Sequence, residues 1–256
     1  MRVLNSIIIG GGDKHIIILH GMLGMGGNWK FIASRLSEVG FCIHLVDQRN
    51  HGKSFWDDEF SYNTLCGDLN VYYDFHNITE AILLGHSMGG KVAMKFALEY
   101  SKKVSKLIII DIAPKKYKPN QDEILEALDS IDLKKIKSKI HVDEHLKRFI
   151  PDREIRQFLL KNLYWKTPEE LGLRLNIKGI NKGKSNLYCE IISEKVFLKE
   201  TIFIKGDLSI YIEKEDSIMI EKLFPFAKIK IIPNAGHWTH AENPKYFLKV
   251  LLEFLN

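Results

Sequence analysis

A serine flanked by glycines is the first feature of the sequence that could do chemistry. The stretch "AILLGHSMGG" places Ser87 in the pattern GxSxG, with Gly85 and Gly89 two residues to either side. In a nucleophile elbow of this pattern, a sharp strand-to-helix turn exposes the serine hydroxyl for attack on an acyl group. GxSxG also occurs by chance in tight turns, so the neighbouring elements must decide between a turn and an elbow.

A serine hydroxyl is a poor nucleophile until a base takes its proton, and the chain offers ten histidines. His237 is the preferred base because it follows the last apolar run, in the loop "NAGHW". His240 is the alternative. His20, His51 and His86 adjoin glycine turns, where we expect their rings to hold loops by hydrogen bonds.

Short apolar runs alternate with helical patterns along most of the chain. Helical spacing at Val92, Ala93, Phe96 and Ala97 follows an apolar run, which puts Ser87 at a strand-to-helix corner. The sequence therefore predicts an α/β fold with a mostly parallel central sheet and flanking helices. The runs expected as strands are residues 15–21, 41–47, 80–86, 106–111, 201–206 and 228–233.

The alternation breaks once, in residues 112–198, which are charged, helical in pattern and poor in strands. The clearest helical patterns of this segment span residues 122–140 and 152–163. We therefore expect a helical cap inserted into a core that is formed by residues 1–111 and 199–256.

Composition limits the class of protein. A chain of 256 residues with 45% hydrophobic content can bury one sizeable core. Its three cysteines are too few and too scattered for a disulfide framework or a zinc knuckle, which fits a reducing compartment. The apolar runs at the N-terminus are too short and broken for a signal peptide or a membrane span. We expect a cytoplasmic chain without membrane insertion, as a monomer or weak dimer.

The formal charge is a modest +5 on a chain that also carries 32 acidic residues. A nucleic-acid partner would require a concentrated basic patch, which this balance does not indicate. The expected partner is a small molecule.

Five motifs lie at or near the ends of the apolar runs: "LHGMLG", "DQRNHGKS", "GHSMGGK", "IDIAP" and "AGHWTHAENP". Together they resemble the α/β-hydrolase superfamily, and over nearly its full length the chain is similar to the small bacterial YbfF-type esterases. The resemblance implies an α/β-hydrolase fold with a helical cap. It also implies a hydrolase of carboxylic esters or thioesters that uses neither a metal nor an organic cofactor.

The sequence offers two candidates for the acid of the expected triad. The resemblance marks Asp111, in "IDIAP", as the acid, and this residue follows the strand next to the elbow. The commonest family pattern instead places the acid three residues after a glycine, which counted from Gly206 is Ser209. Asp207, two residues earlier, is the alternative acid. The predicted triad is therefore the elbow serine, His237 and Asp111, in the order Ser, Asp, His.

The oxyanion of an acyl-transfer intermediate needs two N–H donors. We expect them at Met88, directly after the nucleophile, and at Met22 in the loop "LHGMLG", with Leu23 as the alternative to Met22. The inner face of the cap should narrow the pocket and favour short acyl chains. The side chains expected to line the pocket are His20, Leu23, His86, Trp238, Phe149 and Phe158.

Three functions fit the motifs. The first is hydrolysis of a small ester or thioester, acyl-CoA included, through an acyl-serine intermediate. The second uses the same triad for C–C bond hydrolysis or cofactor-free perhydrolysis. The third is a ligand-binding protein that keeps the pocket without turnover. Lys115, Lys116 and Lys118, at the start of the cap, form either a solvated face or contacts to the phosphates of an acyl-CoA.

Overall fold

The structure is a computed structural model that describes residues 2–119, 121–133 and 138–256. The strands of this part of the chain are β1 (Ser6–Ile9), β2 (Lys14–Leu19), β3 (Phe41–Val46), β4 (Ala81–His86), β5 (Val104–Ile110), β6 (Leu163–Thr167), β7 (Glu170–Leu173), β8 (Thr201–Gly206) and β9 (Ala227–Ile232).

Its α-helices are α1 (Lys30–Ser37), α2 (Tyr62–Phe75), α3 (Met88–Glu99), α4 (Asp122–Asp129), α5 (Lys139–Leu146), α6 (Arg153–Leu160), α7 (Ile177–Gly183), α8 (Asp216–Leu223), α9 (Thr239–Glu242) and α10 (Pro244–Leu255). Short 3₁₀ helices lie at Gly26–Trp29, Ser101–Lys103 and Lys184–Leu187.

Within the described residues, seven strands form one sheet in the order β1-β3-β2-β4-β5-β8-β9. All neighbours pair in parallel except β1, which pairs antiparallel with β3. The six predicted strands are all present, so the predicted α/β-hydrolase fold with a mostly parallel sheet is confirmed. The sequence reading did not anticipate β1, a four-residue strand at the edge of the sheet.

Helices cover both faces of the sheet, and strand alternation divides the core between them. In β2, Ile16 and Ile18 pack in a cluster with α1 and α10, whereas Ile17 and Leu19 pack in the cluster that contains α2 and α3. Strand β9 was expected to be buried on both of its faces, and it is not. It is an edge strand, and its central residues are exposed.

The segment between β5 and β8 is helical, as expected, but it also contains a hairpin of β6 and β7 that the sequence reading missed. The predicted helix over residues 122–140 is divided, since α4 ends at Asp129 and α5 begins at Lys139. Residues 134–137 of that prediction lie outside the described residues. The division into a core and a cap spanning 112–198 stays a prediction.

Hydrogen bonds join this segment to helices α2 and α3. Lys91 of α3 is buried, and its Nζ donates to the carbonyls of Lys115 (2.6 Å) and Cys189 (2.5 Å), near the two ends of the insertion. The hydroxyl of Tyr62 donates to the carbonyl of Leu187 at 2.8 Å.

Of the helices in the described ranges, none combines the length and the apolar character that crossing a membrane requires.

Candidate active site

Ser87 is the single residue between the end of β4 and the start of α3. Its backbone has φ 52° and ψ −118°, a conformation that costs a non-glycine residue about 1–3 kcal/mol. Only glycine fits two residues earlier, because a Cβ on Gly85 would lie 2.2 Å from the carbonyl oxygen of Gly89. The predicted corner is therefore present, and it has the strained geometry of a nucleophile elbow.

The ring of His237 is hydrogen-bonded to a buried carboxylate. His237 Nδ1 lies 2.7 Å from Oδ2 of Asp111, a residue with no exposed surface at the end of β5. His237 follows β9 in the chain, and Ser87 and His237 line the same cavity of about 220 Å³. Because Nδ1 is engaged by the carboxylate, Nε2 is the nitrogen left to accept a proton from a serine.

Two further donors hold the Asp111 carboxylate. The backbone N–H of Gly206 donates to Oδ1 at 3.3 Å, and the Ser209 hydroxyl donates to Oδ2 at 2.5 Å. Ser209 occupies the place where the commonest family pattern has its acid. The structure thus brings that position and the acid on β5 together, a contact the sequence analysis did not foresee.

Asp207, the alternative acid, has a different set of partners. Its carboxylate accepts the N–H groups of Asn234 and Ala235, each at 3.0 Å, at the start of the loop that carries His237. These backbone hydrogen bonds lower the pKa of Asp207. The structure places Asp207 as a brace of the loop and places Asp111 against the ring of His237.

His240, the alternative base, packs against an aromatic side chain. Its ring stacks on Trp29, with centroids 3.8 Å apart and planes at 14°. Burial lowers the pKa of His240 to about 3 and lowers the pKa of His86 well below its ordinary value. His86 Nε2 donates to the carbonyl of His237 at 2.9 Å, so this neutral ring holds the backbone of the candidate base.

The loop after β2 is held from two sides at Leu23. The N–H of Leu23 donates to Nε2 of His51 at 3.1 Å, and its carbonyl accepts from the Asn162 amide at 2.9 Å. Among the described residues, no acceptor is hydrogen-bonded to the N–H of Met22 or Met88. This difference favours Met22 over Leu23 as the second donor of an oxyanion hole.

The side chains of the motif "DQRNHGKS" form hydrogen bonds that hold the motif itself and the loop after β2. Arg49 donates to both carboxylate oxygens of Asp68, at 2.5 and 2.7 Å, and to the carbonyl of Glu59 at 2.6 Å. His51 Nδ1 donates to the carbonyl of Arg49 at 2.9 Å, and burial lowers the pKa of His51 to about 3. His20 accepts the N–H of Gln48 at 3.0 Å. The prediction that these histidines hold loops is confirmed.

The cavity in front of Ser87 contains most of the side chains expected there. Phe149 is the exception, because it follows the end of α5 in a turn, with 45% of its surface exposed, and lines a neighbouring groove. The expected residues that do line the cavity are His20, Leu23, His86, Phe158 and Trp238.

The cavity also contains residues that the sequence analysis missed, among them Trp29, Gln121, Ile124, Ile155 and Tyr211. Tyr211 stacks on His237 with ring centroids 3.9 Å apart and planes at 21°. It lies two residues after Ser209, and no pattern in the sequence signals this stacking.

Lys115, Lys116 and Lys118 differ in their surroundings. Lys115 Nζ pairs with Glu213 at 2.7 Å and with Asp216 at 2.8 Å, so two carboxylates already neutralise its charge. Lys116 and Lys118 are exposed. This arrangement favours a solvated face over a preformed phosphate site.

The chain has extensive matches among known proteins. The family model described as alpha/beta hydrolase fold matches residues 14–244. The chain is 32% identical to an sn-1-specific diacylglycerol lipase of Danio rerio, over 98% of this chain and 81% of the relative. It is 30% identical to Esterase YbfF of Escherichia coli (strain K12), over 95% of this chain and 94% of the relative.

Among solved structures, a marine microorganism esterase superposes with a TM-score of 0.96 at 38% identity, covering 99% of this chain and 100% of that chain. The match of the family model covers most of the chain, and the relatives align with it almost from end to end. The chain therefore belongs to the α/β-hydrolase family.

Proposed function

We propose that this chain is a serine esterase that cleaves small carboxylic esters through an acyl-Ser87 intermediate. The observation that carries the proposal is the 2.7 Å hydrogen bond from His237 to buried Asp111, beside a strained serine in the same cavity. The relatives named above are an esterase and a lipase, which supports an ester as the bond that is broken.

In the first half-reaction, Ser87 Oγ attacks the ester carbonyl while His237 Nε2 takes the hydroxyl proton. The N–H groups of Met22 and Met88 stabilise the oxyanion, and Met88 also begins α3, whose positive dipole end favours negative charge there. His237 then gives its proton to the departing alcohol. Asp111 holds the tautomer of His237 and stabilises the imidazolium.

In the second half-reaction, His237 activates a water molecule that releases the acid and restores Ser87. The same steps cleave a thioester, with a thiol leaving in place of the alcohol. Since Lys115 is already paired with two carboxylates, we rank oxygen esters ahead of acyl-CoA as substrates.

The test is a panel of p-nitrophenyl esters and acyl-CoA thioesters, together with labelling by a fluorophosphonate probe. We expect turnover of the esters and labelling of Ser87. Labelling without ester turnover would point to another bond, such as C–C cleavage or perhydrolysis. A chain that neither labels nor turns over would be a binding protein and would contradict the proposal.

The size of the cavity predicts a preference for short acyl chains. At about 220 Å³ it is smaller than pockets for drug-sized ligands, which are about 300–1,000 Å³. Its outer wall includes Phe158, whose ring lies against Gly24 and Trp238. We expect kcat/KM to be highest for short-chain p-nitrophenyl esters and to fall as the chain lengthens.

Phe158→Ala should move the optimum to longer chains, because it removes a wall of the cavity. Phe149→Ala is the matched control, since Phe149 lines the neighbouring groove and should leave the profile unchanged. A kcat/KM that rises through long-chain esters in the unaltered protein would contradict a narrow pocket.

The Ser209 hydroxyl should act through Asp111. Ser209→Ala removes its hydrogen bond to the carboxylate, of the charge-assisted kind worth about 1.5–3 kcal/mol. We expect kcat to fall roughly 10-fold, with KM little changed, because the bond orients the acid and is remote from substrate. Ser209→Thr, which keeps a hydroxyl, should recover part of the loss, whereas equal losses in both variants would indicate a packing role.

A further inference from the structure

A second cluster of reactive side chains begins near the amino ends of strands β2 and β3, whereas Ser87 follows the carboxyl end of β4. His15 and Cys42 are register partners on the parallel strands β2 and β3. His44 follows Cys42 by two residues, so strand alternation puts all three side chains on one face. The cluster adjoins Tyr72 of α2.

The ligand-type atoms of this cluster are close together. One atom from each of His15, Cys42 and His44 lies within 4.8 Å of the others. His15 Nδ1 is 2.9 Å from His44 Nε2, and Cys42 Sγ is 3.7 Å from the same nitrogen. Tetrahedral zinc has bonds of about 2.0–2.1 Å to nitrogen and about 2.3 Å to sulfur, which separates neighbouring ligand atoms by about 3.3–3.6 Å. The two spacings from His44 Nε2, to His15 and to Cys42, are within about half an ångström of that geometry.

The hydrogen bonds around His44 determine which of its nitrogens carries the proton. The hydroxyl of Tyr72 donates to Ser6 Oγ at 2.8 Å, so its oxygen is left to accept from His44 Nδ1 at 2.8 Å. Nδ1 of His44 is therefore protonated, and Nε2 presents its lone pair to His15 and Cys42. Histidine ligands of metals are characteristically oriented in this way, by an outer hydrogen bond from the second ring nitrogen.

We propose that His15, Cys42 and His44 form a binding site for a divalent cation of the zinc class. The ligands are His15 Nδ1, His44 Nε2 and the Cys42 thiolate, with water in the fourth position. On binding, the Cys42 thiol loses its proton to solvent, and the proton on His15 Nδ1 moves to Nε2 through exchange with water. Two imidazoles and a thiolate suit zinc better than the oxygen-seeking magnesium or calcium ions.

The site would connect strands and take no part in the hydrolytic reaction. His15 precedes the carboxyl end of β2 by four residues, which is about 13 Å along the strand. The loop that lines the cavity begins only after that end. Cys42 and His44 are buried, whereas His15 is partly exposed and gives an ion access from solvent. A bound ion would join β2 to β3 and so stabilise the folded chain.

Titration of the metal-free protein with Co²⁺ tests the ligand set, because a cobalt–thiolate bond has its own charge-transfer absorption. We expect this absorption to saturate at one ion per chain. Cys42→Ser should abolish it, and Cys189→Ser, which alters the exposed cysteine, should leave it unchanged. Histidines around Ser87 cannot mimic the signal, since they offer no thiolate. No absorption, or its loss only in Cys189→Ser, would overturn the proposal.

Thermal unfolding with Zn²⁺ gives a second measurement that does not depend on the buried cysteine. We expect Zn²⁺ to raise Tm, and His15→Ala, at the exposed side of the cluster, to remove the rise. His141→Ala, which alters an exposed histidine of α5, is the control and should keep it. Tyr72→Phe should weaken Zn²⁺ binding roughly 10-fold or more, as loss of an outer hydrogen bond does. A Tm rise that is equal in His15→Ala and the unaltered protein would contradict the site.

Discussion

Ser87→Ala should reduce ester hydrolysis by a factor on the order of 10⁶ in kcat while the protein stays folded, as removal of a triad serine has done in another hydrolase. The hydroxyl makes no capping hydrogen bond to α3, so its loss removes no contact that holds the elbow. The close approach of Gly85 to Gly89 sets the backbone instead. Steady-state kinetics on a short-chain p-nitrophenyl ester, with circular dichroism for the fold, measures the effect.

The same experiment includes the two candidate bases. The kcat of His237→Ala should fall as far as that of Ser87→Ala, because residues of a triad act as a unit. His240→Ala is the matched control, since its ring stacks on Trp29 and is not paired with Asp111. Activity above about a tenth of the unaltered enzyme in Ser87→Ala, or a greater loss in His240→Ala than in His237→Ala, would contradict the assignment.

The parts of the fold that could be predicted are those with a local signal. The elbow is an example, because an apolar run, two glycines and a helical pattern occur within twenty residues around Ser87. Strands β2 to β5 are equally plain, since central parallel strands are buried on both faces and read as continuous apolar runs. The edge strands were predicted less well. Strand β1 is a four-residue run that the sequence analysis missed, and β9 was predicted as a strand, but its alternation of lysine with isoleucine leaves its central residues exposed.

The contacts that could not be predicted join residues far apart in the chain. Ser209 meets Asp111 across 98 residues, and Asn162, which lies between β5 and β8, meets Leu23 across 139. Neither residue type requires such a partner, so the sequence alone could not identify these contacts. Phe149 shows the same limit from the other direction. The helical pattern predicts Phe149 as a pocket wall, but it lies in the turn after α5 and lines a neighbouring groove.

Asp111→Asn should lower kcat by a factor on the order of 10³ or more, because an amide in place of the triad acid can hold the wrong histidine tautomer. The substitution removes the negative charge and the second acceptor oxygen with little change in shape. Asp111 has φ 49°, and asparagine is among the few residues that adopt this conformation readily. The side chain keeps its shape, while the hydrogen bonds from His237 and Ser209 to Oδ2 meet a group without a negative charge.

Asp207→Asn is the matched control, since it makes the same chemical change at the end of β8, the strand that pairs with β5. The Asp207 carboxylate is exposed and accepts the backbone N–H groups of Asn234 and Ala235 in the loop before His237, and an amide oxygen can still accept one of them. We therefore expect a small change in kcat. If a folded Asp111→Asn enzyme kept near-normal kcat while Asp207→Asn lost activity, Asp207 would be the acid, and the hydrogen bond between His237 and Asp111 would be a feature of the resting site alone.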